Sequence, residues 1–192
     1  MDSFVKQSKH QIIRMLMKTA EDFLTNSSWR LREIAIKVIA FSLKRHWYLI
    51  KDYKISLIIF YDTEIKVRSV ASGLLQTIVP LMPSNQLQDM IKEFKGKIEA
   101  NKDDINTFHG AILGLMGITN VYMKEIPDWI PELLCYLAKY KNGPGIVSES
   151  VKNSNANFWR FHKPTWEYVK GKFSEEQQEE LSDHVKSYYY FA

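Results

Sequence analysis

Apolar residues recur at helical spacing along almost the whole of this chain, and that periodicity constrains the fold more than any other feature. Val5, Ile12, Ile13, Leu16, Ala20, Phe23 and Leu24 form one stripe; Leu31, Ile34, Ala35, Val38, Ile39 and Leu43 form another. Steps of three and four residues place such side chains on one face of an α-helix. Turn and cap residues fall between the stripes: Asn26-Ser27-Ser28, Asp62-Thr63, Pro83-Ser84-Asn85, Asn101 to Asp104, Pro127, Asn142-Gly143-Pro144-Gly145 and Pro164. This punctuation predicts ten helices, at about 4–24, 28–44, 47–61, 64–79, 84–99, 104–121, 128–140, 146–161, 165–171 and 175–186. Ser174 followed by Gln177 is a capping-box signature for the last of them. The best strand-like run, Ile55 to Tyr61, is read as a buried helix because it stands alone among helical segments. The expected fold class is all-α.

The helices pair, and the pairs repeat. Ala35, Ala71, Ala111 and Val151 occupy matching places in successive second helices, 36, 40 and 40 residues apart. Helix pairs near 40 residues are the period of HEAT and armadillo arrays, in which each pair is half a core completed by its neighbours. The clearest unit is Asp62-x4-Val67-Arg68-x2-Ala71-x3-Leu75, echoed by Leu31-Arg32-x2-Ala35. Asp62 is placed either to cap the second helix or to pair with Arg68. Gly110, Gly114 and Gly117 thin one face of the third unit and permit close helix approach. The expected architecture is a HEAT/armadillo-like α-solenoid of about four helix pairs over residues 1–163. Capping helices follow over 164–186, and an aromatic tail over 187–192.

Composition excludes several function classes. The chain has 192 residues, 26 basic against 22 acidic, and a net charge of +4. That surplus is too small to point to nucleic acid, and a solvated mixed surface accounts for it. The single cysteine, Cys135, excludes a disulfide framework and points to a reducing compartment. The longest apolar run is far short of the roughly 20 residues of a membrane span, and no signal-peptide core stands at the N-terminus. The expected location is nucleus and cytoplasm.

No catalytic constellation is present. His10, His46, His109, His162 and His184 are scattered singly, without metal-ligand spacing, and no phosphate loop or nucleophile elbow occurs. Cys135 lies among Leu133, Leu134 and Leu137, the setting of a packed thiol. Trp29, Trp47, Trp129, Trp159 and Trp166 sit near helix ends and are read as packing residues. The expectation is a protein that is not an enzyme, with no cofactor and no metal. What stands out is the ending, Ser187-Tyr188-Tyr189-Tyr190-Phe191-Ala192. Termini are usually frayed and polar, so four aromatics before a free carboxylate suit either a tail packed on its own last helix or a plug for a partner's slot.

The helix pairs resemble one known family when taken with Ile126-Pro127-Asp128-Trp129-Ile130-Pro131-Glu132-Leu133-Leu134. Asn157-Phe158-Trp159-Arg160-x-His162, then Trp166, Lys172-Phe173-Ser174-Glu175-Glu176-Gln177 and Leu181 strengthen the match. The chain is similar to the C-terminal region of the proteasome activator complex subunit 4 family, the large HEAT-repeat caps of the proteasome core particle. The resemblance covers essentially the whole chain and is strongest from His109 to Ala192. It implies a tail of pattern hydrophobic–tyrosine–any residue that inserts between α-subunits of the core particle and affects its gate. Here those positions are Tyr190, Phe191 and Ala192. Phe191 is a departure: the ring remains while the phenol hydroxyl is missing, with roughly 1 kcal/mol of hydrogen bonding. The resemblance also brings an acetyl-lysine-reading activity toward acetylated histones in animal members. Its Asn-Phe pair after Leu-Leu-Gln is replaced here by Thr77-Ile78 after Leu74-Leu75-Gln76. A threonine lacks the amide's paired donor and acceptor, so this activity is not expected. Because family members are far larger, 192 residues correspond to their final repeats. A generic HEAT scaffold binding a peptide or acetylated-histone partner is the alternative.

Overall fold

The amphipathic stripes fold as helices, and no strand occurs among the residues described by the computed structural model, 2–52 and 56–181. Among the described residues the α-helices are, in order, α1 (Asp2–Asp22), α2 (Trp29–Arg45), α3 (Ile65–Ile78), α4 (Ser84–Ala100), α5 (Ile105–Val121), α6 (Ile130–Ala138), α7 (Gly145–His162) and α8 (Trp166–Val169). Residues 175–181 are helical as well. The punctuation residues start these helices. Asp104 caps α5, its carboxylate accepting from the backbone N–H groups of Asn106 and Thr107 and from the Thr107 hydroxyl at 2.6 Å. Pro83 and Pro144 stand immediately before α4 and α7, and Pro131 lies in the first turn of α6, where its missing N–H costs nothing.

The second helices of the expected pairs stack in sequence, α2 on α3, α3 on α5 and α5 on α7. Ala35, Ala71, Ala111 and Val151 are all buried in this stack. Small side chains there let helices approach closely, and the α3–α5 contact is the tightest case. The Ser72 hydroxyl donates to the Leu113 carbonyl at 2.6 Å, and a Cβ on Gly117 would lie 2.6 Å from the Ser72 carbonyl oxygen.

Two expected helices are not observed as such. Of the helix expected at 47–61, residues 53–55 lie outside the described residues, and the described ones form two 3-10 segments, Trp47–Asp52 and Leu57–Tyr61. The second is apolar from Leu57 to Phe60, so it has little polar face to orient a helix, and its β-branched isoleucines lower helix propensity further. Its place is set by α5: the Phe60 carbonyl points at Gly110 so closely that a Cβ there would lie 1.7 Å away. Phe60 is fully buried and meets the Phe94 ring edge-on at 5.1 Å. Residues 165–171 contain a single α-turn, α8, between the 3-10 turns Lys163–Thr165 and Lys170–Lys172.

The core is divided into two clusters. The larger runs along the stack from Met17 to Val151, with Ile36, Ile39, Leu43, Leu75, Phe94, Ile112 and Leu115 essentially inaccessible to water. Burying one such side chain contributes about 1.5–3 kcal/mol. The smaller gathers Ile130, Leu134, Cys135, Phe158, Phe173 and Leu181, with Trp129 and Tyr122 packed against both.

Candidate functional site

Tyr190, Phe191 and Ala192, like the rest of 182–192, lie outside the described residues. What is described is the base from which the tail departs. The capping box forms as the sequence predicts: the Ser174 N–H donates to Gln177 Oε1 at 3.0 Å, and the Gln177 N–H donates to Ser174 Oγ at 3.2 Å. Gln178 Nε2 donates to the Lys170 and Phe173 carbonyls, both at 3.0 Å. Phe173 and Leu181 are buried in the smaller core cluster, where Phe173 meets Phe158 edge-on and Trp166 at a tilt. Lys172 reaches back to Asp128 at 2.8 Å. The last described turn of the chain is therefore anchored by apolar packing and by hydrogen bonds.

Thr77 and Ile78 end α3 in different surroundings. Ile78 is buried in the core, whereas Thr77 borders an open cleft of about 330 Å³ between the ends of α2 and α3. Trp47, Gln76, Leu81 and Lys44 line the same cleft. Of the five tryptophans Trp47 departs from the packing expectation, being 59% exposed.

Sequence reading missed a polar chain that crosses the stack. Arg32 on α2 makes a bidentate pair with Asp62, at 2.6 and 2.7 Å, and also donates to the Asn26 and Ser27 carbonyls. Asp62 does not cap α3, whose N-cap is Glu64 without a side-chain cap bond; the Asp62 carboxylate accepts from the Glu64 N–H at 2.8 Å in the turn before the helix and takes its ion pair from Arg32 on α2 instead of from Arg68. Arg68, on α3, repeats the pattern 36 residues later. It donates to the Asp62 and Thr63 carbonyls, and onward to Asn106 Oδ1 at 2.9 Å and His109 Nδ1 at 3.3 Å. His109 passes the contact to Ser150 on α7 at 2.9 Å. Burial raises the Asp62 carboxyl, but the hydrogen bonds from Arg32 and Glu64 and the Arg32 charge outweigh it and hold the group below the usual carboxylate range. Burial, then the Arg68 charge, lowers His109 to about 4. The imidazole is therefore neutral at pH 7; with Nδ1 accepting from Arg68, Nε2–H is the donor to Ser150. The arrangement joins helices and leaves no free nucleophile or base.

No group of His, Cys, Asp and Glu side chains that could hold a metal ion occurs among the described residues. Cys135 is buried; that burial, then the nearby Glu180, pushes its thiol up to about 12, so it stays protonated and unreactive. No described helix is long and apolar enough to cross a membrane.

Residues 105–192 match the family described as proteasome activator complex subunit 4-like, C-terminal. Across 98% of its length the chain is 26% identical to Proteasome activator subunit 4 of Arabidopsis thaliana, covering 11% of that relative. It is 27% identical over 68% of its length to Proteasome activator BLM10 of Saccharomyces cerevisiae, and 24% identical over 94% to Proteasome activator complex subunit 4 of Homo sapiens. The matches cover 7% of the yeast relative and 11% of the human one, so the chain spans about a tenth of the length of these relatives.

Proposed function

We propose that this chain, whose residues 105–192 match the family described as proteasome activator complex subunit 4-like, C-terminal, is a non-enzymatic regulator that binds the proteasome core particle. The observation that carries the reading is that the family match extends through Ala192, so the aromatic tail lies within the matched region. In this mechanism Tyr190 and Phe191 fill an apolar slot between α-subunits, and the Ala192 carboxylate is held by a cation or by backbone amides. A charge-assisted hydrogen bond of that kind is roughly twice as strong as a neutral one. Leverage on the gate requires a firm base, and the capping box at Ser174 with the buried Phe173 and Leu181 provides it.

The scaffold is proposed as a HEAT-type array over 1–163, with capping helices over 164–186 and the docking tail at 187–192, working in nucleus and cytoplasm. The equivalent hydrogen bonds of Arg32 and Arg68, 36 residues apart, support the repeat reading. A second reading, a scaffold for a peptide or acetylated-histone partner, has its surface in the Thr77 cleft, where Trp47 is exposed.

The test separates docking from gating at Phe191. Its ring supplies apolar burial, so Phe191→Ala should abolish binding, since truncating a buried aromatic anchor costs about 2 kcal/mol or more. Phe191→Tyr restores the hydroxyl that orients the partner's backbone; it should bind as well or slightly better and raise fluorogenic-peptide hydrolysis by the core particle. A Phe191→Tyr chain that binds worse would show that the tail is not used in this register, and retention of full affinity by Phe191→Ala would refute docking through the tail.

A further inference from the structure

His162 and Asn155 on α7 are polar side chains buried without a full set of partners. His162 is 2% exposed and Asn155 6%, and among the described residues nothing hydrogen-bonds His162 Nε2 or Asn155 Nδ2. Seven residues apart, the two lie about two turns from one another, with Phe158 between them on the same face. The His162 ring has its hydrogen bond at the Met123 backbone carbonyl. A carbonyl only accepts, so Nδ1–H donates there and Nε2 is left as a bare acceptor. The ring packs on Phe158 and Phe161, with centroids 4.5 and 5.0 Å away. A neutral imidazole fits that setting. A second proton would put both an N–H and a charge where no described group accepts them. Burial accordingly holds the ring below the ordinary histidine value, while the Met123 carbonyl pulls the other way.

The ring that His162 packs on belongs to the smaller core cluster. Phe158 meets Phe173 edge-on at 6.0 Å, Phe173 meets Trp166 at 5.6 Å, and Leu181 is buried in the same group. The chain from 166 to 181 is thus held on α6 and α7 by few side chains, whereas the larger cluster runs the length of the stack. Segments held by few buried contacts open locally at a lower free energy than the whole molecule unfolds. The charged groups on the surrounding elements are Glu149, Lys152 and Arg160 on α7 with Lys163 after it, and Lys124, Glu125 and Asp128 before α6. Glu132 and Lys139 lie on and after α6, Glu167, Lys170 and Lys172 around α8, and Glu175, Glu176, Glu179 and Glu180 after Ser174. All but Lys170 and Glu180 are exposed; Lys170 pairs with Glu167, and Glu180 hydrogen-bonds Cys135. None of them bonds His162 Nε2.

We propose that neutral His162 latches the segment 166–181 onto the stack, and that protonation of its ring in mild acid releases that segment and loosens the base of the C-terminal tail. Open to water, the ring takes up its proton near pH 6.5; closed, it does so only at lower pH. The closed form therefore keeps its full stability above about pH 6.5 and loses it as the pH falls below that value. Aspartate and glutamate titrate near pH 4, below this window. The inference needs no docking of the tail, so it stands or falls apart from that reading.

Hydrogen exchange of the intact chain, resolved by mass spectrometry and corrected for the intrinsic rate, measures opening of 166–181 and of α3 at about pH 7.5 and pH 5.5. Opening of 166–181 should rise at least about twofold and up to about tenfold on acidification, because a ring that charges near pH 6.5 when exposed favours the open form by up to about tenfold one pH unit lower. His162→Gln keeps a donor for the Met123 carbonyl and cannot titrate, and His162→Phe fills the site with no polar group. In both, opening of 166–181 should change by less than about twofold between the two pH values, and the His162→Gln chain carries the test where the His162→Phe chain does not fold. His109 also charges when exposed, but it ties α3 to α7 within the stack and remains in both variants. An acid-induced rise that persists in His162→Gln would assign the effect to another group such as His109 and overturn the proposal. So would a rise below about twofold in the unaltered chain. A rise of equal size in α3 overturns it as well, since the whole stack would then be unfolding instead of one segment being released.

Discussion

Replacing Gly110 with alanine should damage this fold severely although it adds a single methyl group. The new Cβ would lie 1.7 Å from the Phe60 carbonyl oxygen and 2.7 Å from its carbon. An ordinary contact is about 3.5 Å, so the Phe60 backbone has to retreat by about 1.8 Å. The obstacle is backbone, which cannot swing aside as a side chain does. The retreat would pull the buried Phe60 ring off Phe94 and shift Asp62, two residues on, away from Arg32. Overpacking costs about 1–3 kcal/mol, and the lost packing adds to it, while the gain in helix propensity returns about 1 kcal/mol. A net loss of about 2 kcal/mol or more is expected. Urea unfolding followed by circular dichroism measures it, read as a lower midpoint at unchanged slope. Gly96→Ala is the control: nothing lies within 4 Å of its added Cβ, so propensity alone should stabilise it by about 0.5–1 kcal/mol. Equal stability of the Gly110→Ala chain and the wild type would refute the packing of residues 57–61 against α5.

Two further outcomes follow from the stack. His109 is held down to about 4 when folded, against about 6.5 in an unfolded chain, so the unfolded state binds more protons between these values. Stability is therefore full above about pH 6.5 and falls toward pH 4, by about 1.4 kcal/mol per pH unit from this group; urea titrations at pH 7 and pH 5 should show a smaller difference for His109→Gln, and an equal difference would contradict the neutral buried imidazole. Ala71→Leu overpacks a fully buried position and should cost about 1–3 kcal/mol, seen as a lower thermal midpoint; an unchanged midpoint would remove Ala71 from the tight helix contact.

Much of the helical framework was legible because it rests on local chemistry. The three-and-four stripes, the turn residues between them and the Ser174–Gln177 box are all short-range signals, and the small residues at 35, 71 and 111 mark the buried stack. Arg68 lies on α3 and reaches Asn106 on α5, as the motif suggests, but the partner helix expected at 47–61 is replaced by 3-10 segments. What was not legible depends on distant partners. The run Leu57 to Tyr61 forms a 3-10 segment whose Phe60 carbonyl packs onto Gly110, some fifty residues away, and no local pattern encodes that contact. Asp62 pairs with Arg32, 30 residues earlier, because α2 packs on α3, whereas the sequence offered a cap of the following helix or a pair with the nearer Arg68. His109 read as one of five scattered histidines and is in fact the link between α3 and α7. Its 41-residue separation from both Arg68 and Ser150 was the available signal. For the candidate site, sequence reading supplied the aromatic tail and its family pattern. The structure adds the anchored base at Phe173 and Leu181.

The central claim, docking through a free C-terminal carboxylate, is tested most directly by the affinity of purified core particle for the chain in three forms. These are the intact chain, the chain amidated at Ala192, and the chain lacking Tyr190 to Ala192. A charge-assisted contact is worth about 1.5–3 kcal/mol, so amidation should weaken binding by about tenfold to a hundredfold and approach the effect of the deletion. Equal affinity of all three forms would contradict the claim and place the interface on the helical body instead.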